Sequence, residues 1–381
     1  MKKAIFADRF FLAGSVAGPG YLLVEDGKFG RFSETRPDGV EIIDRAGYQV
    51  APGLVDTHIH GFMNHDVMDN DGEGLQIISE GLLSCGVTSF LPTTLTASRE
   101  LLDDVVETIG KFKDQVKGAK IRGIFLEGPF FTEKHKGAQN PKYFSDPAAE
   151  TLESWQKLSG GLIRKIAIAP EREGVSEFIQ YAVSHDVVVA LGHSDASFAQ
   201  AKAAVDAGAS VFVHTFNGMS PLHHRDPGMV GAALSLDDVW CELICDGNHV
   251  HPMAARIVMK SAGKDHVVLI TDCMMAGGMP DGNYILGEFP VTKKDGAVRL
   301  ESGSLAGSCL ELKDAIKNVV DWNNCTPEES LRMASANAAD SVHIGDVCGR
   351  ILPGHDADFI VLDSAMTLKE TYLDGECRYK A

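Results

Sequence analysis

Short apolar, β-branched runs recur along the middle of the chain, at 50–57 (VAPGLVDT), 86–94 (GVTSFLPTT), 121–128 (IRGIFLEG), 162–170 (LIRKIAIAP) and 186–192 (DVVVALG). Three more follow at 210–215 (SVFVHT), 239–246 (VWCELICD) and 266–272 (HVVLITD). Between most of them lie stretches with apolar residues at helical spacing, such as 98–116, 175–186 and 196–208. Eight strands alternating with helices predict an α/β protein built on a (β/α)8 TIM-type barrel, although a doubly wound open sheet shares the alternation. The two ends of the chain read differently. Residues 1–50 and 350–381 carry short strand-like pieces broken by turn signals (YLLVEDGKFGRFSE, GRILPGHDADFIVLD), and neither end can bury a core alone. They are expected to combine into one small β-sandwich domain, interrupted in sequence by a barrel spanning 51–349.

Composition narrows the partners. The 381 residues carry a formal charge of −18, which argues against broad attraction to nucleic acid or to an anionic membrane surface. An anionic ligand must then be met by a local site. The N-terminus, MKKAIFADRFFLAG, lacks the long apolar stretch of a signal peptide, and nowhere do the roughly 20 consecutive apolar residues of a membrane span occur. Eight scattered cysteines without a CxxC pair suit reduced thiols. A cytoplasmic enzyme is the expectation.

The first run closes on GLVDTHIHG. Side chains two apart on a strand share a face, so His58 and His60 project together from the end of the first barrel strand. In this architecture the working end is the C-terminal end of the strands, so polar residues closing other runs should converge there. Glu127 closes the third run, His193 the fifth, His214 the sixth and Asp272 the eighth. Imidazoles and carboxylates from separate strands make a site for a divalent metal, one ion or two, with zinc the default and iron or manganese compatible. Such an ion acidifies water and polarises a carbonyl, so hydrolysis is the expected chemistry. Asp272 beside it would act as general base and then acid.

GLVDTHIHG, LEGPF, GHSDAS, HTFNGM, DGNHV, ITDCM and the C-terminal ADFIVLD, in that order, resemble the N-acetylglucosamine-6-phosphate deacetylase branch of the amidohydrolase superfamily. The resemblance implies a barrel capped by a β-sandwich made from both termini, a homodimer, and hydrolysis of the acetamide of a phosphorylated amino sugar. Other branches bridge two metals with a carboxylated lysine ending the fourth strand; here that strand ends IAIAPE, and the resemblance gives the bridging role to Glu127. It further implies phosphate and sugar contacts from Asn217, Gly218 and His249. Arg225, in HHRDPG, is implied to reach the phosphate in the neighbouring subunit's site. Ala138 and Gln139 match a substrate-contacting loop, with Gln139 able to donate to a sugar or acetamide oxygen. Leu305, Ala306 and Gly307 match a segment that meets the sugar through its backbone.

Overall fold

Strands buried on both faces need near-continuous apolar sequence, and the eight runs supply it. In the computed structural model, which describes residues 2–381, they form barrel strands 1 to 8: Leu54–Ile59, Val87–Thr94, Ile124–Phe130, Ile163–Ile168, Val188–Leu191, Val211–Phe212, Trp240–Ile244 and Val267–Ile270. They pair in parallel and in chain order. The ring then closes on itself. Ile59 and Cys273 form a parallel bridge, His60 N donates to Cys273 O at 2.8 Å, and Asp272 N donates to His58 O at 2.9 Å. Closure between the first and last strands distinguishes the barrel from an open doubly wound sheet, and it places His58, His60 and Asp272 side by side.

The surrounding helices follow their sequence signals. The helix Arg99–Phe112 starts at Ser98, whose hydroxyl accepts from Leu101 N, and it buries Leu102, Val105, Val106 and Ile109 at the spacing of one helical face. Thr326 and Glu329 close a reciprocal capping box on Pro327–Met333. No helix among the described residues is long and apolar enough to cross a membrane.

Both termini meet in one eight-stranded sheet. Its central strand, Glu41–Pro52, runs parallel to Lys2–Leu12 on one side and antiparallel to Phe359–Leu362 on the other. The sheet curls until Phe29 N donates to His355 O and the Phe29 ring lies 6.2 Å from that of Phe359, enclosing a core with Ile5, Phe10, Val24 and Tyr372. Lys120 Nζ reaches Asp356, Asp358 and Asp374 at 2.6–3.0 Å, and Arg122 pairs with Asp356, tying the barrel to this sheet. Burial opposes the charge on Asp356, yet Lys28, Arg122 and Lys120 hold its carboxyl well below the usual range.

One element was not expected. A three-stranded antiparallel sheet, Gly282–Leu286, Phe289–Lys294 and Ala297–Leu300, follows barrel strand 8. It packs Leu286, Val291 and Val298 against Leu95, Ala138 and Ala306, forming an apolar wall above the C-terminal mouth of the barrel.

Candidate metal centre and substrate cavity

Glu127, on barrel strand 3, is the hub of the site. Its Oε1 lies 3.1 Å from His214 Nε2, 3.4 Å from His193 Nε2 and 3.4 Å from His58 Nε2, and its Oε2 lies 3.3 Å from His60 Nε2. Asp272 Oδ1 is 3.2 Å from His60 Nε2 and 3.5 Å from His58 Nε2. Two ligand groups result, His58–His60–Asp272 and Glu127–His193–His214, joined through the Glu127 carboxylate.

The protons on these rings show what the site is built to hold. His193 Nδ1 donates to the carbonyl of His135 at 3.1 Å, and His214 Nδ1 to the carbonyl of Asn217 at 2.9 Å. His58 Nδ1 faces the Glu242 carboxylate at 3.1 Å. All three acceptors lack a proton to give, so each ring carries its hydrogen on Nδ1 and presents a bare lone pair at Nε2. Yet His193 Nε2 and His214 Nε2 stand only 3.2 Å apart, and His58 Nε2 is buried with no hydrogen-bond partner. Converging lone pairs and carboxylate oxygens repel one another unless a cation lies among them, so the residues fit a divalent metal. The negative field that would hold a cation can also draw a proton to the same place: burial works against charge on His58, but Asp272 and Glu127 outweigh it and push its pKa up to about 9.

The backbone turns sharply where these side chains leave their strands. His193, His214 and Asp272 adopt left-handed φ values of 46°, 31° and 49°. Such conformations cost energy in non-glycine residues and collect at functional sites. Gly218, at φ 63°, lets the backbone pass close to the His193 ring: a Cβ there would sit 2.9 Å from His193 Nδ1.

Above the hub lies a cavity of about 240 Å³. His60, Glu127, His193, His214 and Asp272 form its floor, while Ala138, Gln139, Asn217, Gly218, His249, Leu305, Ala306 and Gly307 line its walls with Leu95 and Leu286. His249 is held by Asp246, which accepts from its Nδ1 at 2.8 Å and leaves Nε2 free. Gln139 is turned inward: its amide donates to Glu127 Oε2 at 2.6 Å and accepts from Thr96 N at 3.0 Å, so it braces the hub carboxylate. Arg225 is not brought to the cavity. It lies exposed on the loop after barrel strand 6, with Nη1 2.8 Å from His224 Nε2.

The amidohydrolase family profile matches residues 49–378 of this chain. The chain belongs to the amidohydrolase family. It is 43% identical over 331 residues to the N-acetylglucosamine-6-phosphate deacetylase of Vibrio furnissii, covering 87% of this chain and 83% of that one. It is 39% identical over 348 residues to the N-acetylgalactosamine-6-phosphate deacetylase of Escherichia coli O157:H7, covering 91% and 92%. The solved structure of a mutant N-acetyl-D-glucosamine-6-phosphate deacetylase from Mycobacterium smegmatis, in complex with N-acetyl-D-glucosamine-6-phosphate, superimposes with a TM-score of 0.94 at 28% identity over the whole of both chains.

Five polar residues around this amidohydrolase site escaped the sequence reading. The fourth barrel strand does carry a lysine, but deeper than its end: Lys165 is fully buried, ion-paired with Glu242 of barrel strand 7 and 3.8 Å above the Phe125 ring. An ammonium so engaged is no bridge between metals. Glu171, just past barrel strand 4, accepts from Thr132 Oγ1, Ser194 Oγ and Asp195 N, clamping the loop that carries His193. Asp246 closes the seventh run and acts through His249. His135 enters the site by its carbonyl, while its ring pairs with Asp195. Cys273, next to Asp272, is fully buried, and burial pushes its thiol up, out of reach of nucleophilic chemistry.

Proposed function

We propose that this amidohydrolase hydrolyses the acetamide of N-acetyl-D-glucosamine 6-phosphate to D-glucosamine 6-phosphate and acetate. One observation supports it above the others: a single buried carboxylate, Glu127, lies within 3.1–3.4 Å of four imidazole nitrogens on the floor of a sugar-sized cavity that Asp272 also faces. The names of the relatives supply the substrate.

One or two divalent ions held by His58, His60, Glu127, His193 and His214, zinc before iron or manganese, would acidify water and polarise the amide carbonyl. Asp272 accepts the proton of the attacking water and passes it to the amide nitrogen as the C–N bond breaks, so the sugar leaves as an amine and the acyl group as acetate. Gln139 keeps Glu127 oriented. Asn217 and Gly218 on one wall and His249 Nε2 on another meet the sugar and its phosphate, while Ala138, Leu305, Ala306 and Gly307 shape the remainder. Residues 1–52 with 350–381 are assigned to one unit and 53–349 to the other, two residues later than the sequence pattern suggests because Ala51 and Pro52 pair with Ile360 and Phe359, and eight free cysteines accord with a reducing, cytoplasmic setting.

The decisive assay is acetate release from N-acetylglucosamine 6-phosphate, its galacto epimer and the unphosphorylated sugar, alongside elemental analysis of the purified protein. Metal-dependent turnover preferring the phosphorylated gluco substrate is expected. Bound metal with no turnover of either phosphate ester would discard the substrate. Preference for the galacto epimer would transfer the reading to the activity named for the Escherichia coli relative.

The loop carrying Arg225 is assigned to a homodimer, in which its guanidinium completes the phosphate site of the neighbouring subunit with the bidentate geometry that phosphate favours. Removing one charge-assisted contact of about 1.5–3 kcal/mol predicts an increase of roughly 10–100-fold in KM for Arg225→Ala, with kcat little changed. Steady-state kinetics on the phosphorylated and unphosphorylated sugars, with sedimentation to establish the dimer, checks it. An unchanged KM removes Arg225 from the site.

A further inference from the structure

Beneath the metal ligands, the barrel interior contains one ion pair that the proposed chemistry does not use. Glu242 and Lys165 are both essentially inaccessible to solvent, on barrel strands 7 and 4. Burying two charges costs several kcal/mol per ion before their attraction offsets it, and an apolar pair of equal volume is often at least as stable. Stability alone is therefore a weak reason for the pair. Its geometry offers a better one. The Glu242 carboxylate divides its oxygens: Oε1 takes the Lys165 ammonium and lies 3.4 Å from Thr57 Oγ1, while Oε2 takes His58 Nδ1 at 3.1 Å. Lys165 Nζ also approaches the Thr57 carbonyl at 3.5 Å, so it is aimed by the strand that carries His58.

We propose that Glu242, oriented by Lys165, is a positioning residue that locks His58 with its proton on Nδ1 and so governs ion occupancy of the His58–His60–Asp272 half of the centre. In the other half the rings of His193 and His214 are held at Nδ1 by backbone carbonyls instead of a carboxylate. Losing the pair therefore weakens one half and spares the other. This rests on the metal-centre part of the proposed function, and not on the identity of the substrate.

The test loads wild-type protein, the paired apolar variant Lys165→Met with Glu242→Leu, and Glu242→Asp with manganese(II), following stoichiometry by equilibrium dialysis and spin coupling by electron paramagnetic resonance. Wild type is expected to bind two ions with an exchange-coupled signal. Both variants should hold the first ion with unchanged affinity and the second 10–100-fold more weakly, leaving a mononuclear signal at limiting metal. Glu242→Asp keeps the negative charge in the barrel interior and shortens the reach to Nδ1, so it separates positioning from electrostatics and serves if the paired variant fails to fold. Two ions bound equally tightly in wild type and Glu242→Asp overturn the inference, as does a single ion in wild type. Acetate release by the wild type is scored separately: two ions falling to one without deacetylase activity would sustain this inference and sink the substrate.

Discussion

Asp272→Asn is expected to lower acetate release about 1,000-fold while the protein keeps its fold and at least the ion held by Glu127, His193 and His214. Asparagine has the shape of the aspartate but cannot take a proton from water or return one to a leaving amine. It is also the replacement best suited to the backbone, because Asp272 sits at φ 49°, a region that asparagine tolerates better than most residues. Ser308 N donates to the carbonyl of Asp272 at 2.7 Å, and this contact survives the change. Burial raises the Asp272 carboxyl, but His58 and His60 outweigh it and hold it below the ordinary value, so the wild-type group is ionised at neutral pH, as the proposed role requires. Single-turnover kinetics beside elemental analysis and a thermal melt checks the expectation. Turnover within tenfold of wild type would show that the proton travels by another route.

Glu127→Gln is the second large effect, and its signature is opposite: metal is lost first and activity follows. Glu127 is the carboxylate shared by both halves of the centre, and four imidazoles face it. Changes to groups behind a ligand cost 10–100-fold in affinity, so loss of a carboxylate that stands between both ligand groups should cost more than about 100-fold. The readout is thermal. Zinc at 100 times its dissociation constant stabilises the wild-type fold by about 2.7 kcal/mol through mass action, whereas the variant should melt at the same temperature with and without it. A full zinc-dependent rise in Tm for the variant would remove Glu127 from the centre.

The strand-end residues were legible in the sequence because each closes an apolar run, and the end of a run can be read without knowing its neighbours. His58, His60, Glu127, His193, His214 and Asp272 all have this form. Lys165 and Glu242 sit inside their runs, and only closure of the ring brings strands 1, 4 and 7 together across the interior. The partner of Gln139 was hidden for the same reason: pattern shows that its loop lies near the mouth, but not that its amide turns to Glu127. The first run was placed too early, since Glu41–Pro52 belongs to the terminal sheet and barrel strand 1 begins only at Leu54. The three-stranded insertion left a readable trace. Asp295 and Gly296, both at positive φ, join its last two strands, and Asp-Gly between short alternating runs is a hairpin signal.

The strand Glu41–Pro52 has one neighbour, Lys2–Leu12, made just before it and another, Phe359–Leu362, made only after the whole barrel. At ribosomal speeds of 5–20 residues per second, its second edge stays open for roughly 15–60 s after it emerges. During that interval the segment that continues into His58 and His60 is anchored on one side only, and an open strand edge is a template for pairing with other chains. Barrel closure thus waits for barrel strand 8, at Val267–Ile270, and the second pairing of Glu41–Pro52 waits for Phe359–Leu362. The nascent chain cannot bring His58, His60 and Asp272 together before barrel strand 8 is made, and its vulnerability to misassociation is set by how quickly the ribosome crosses the barrel.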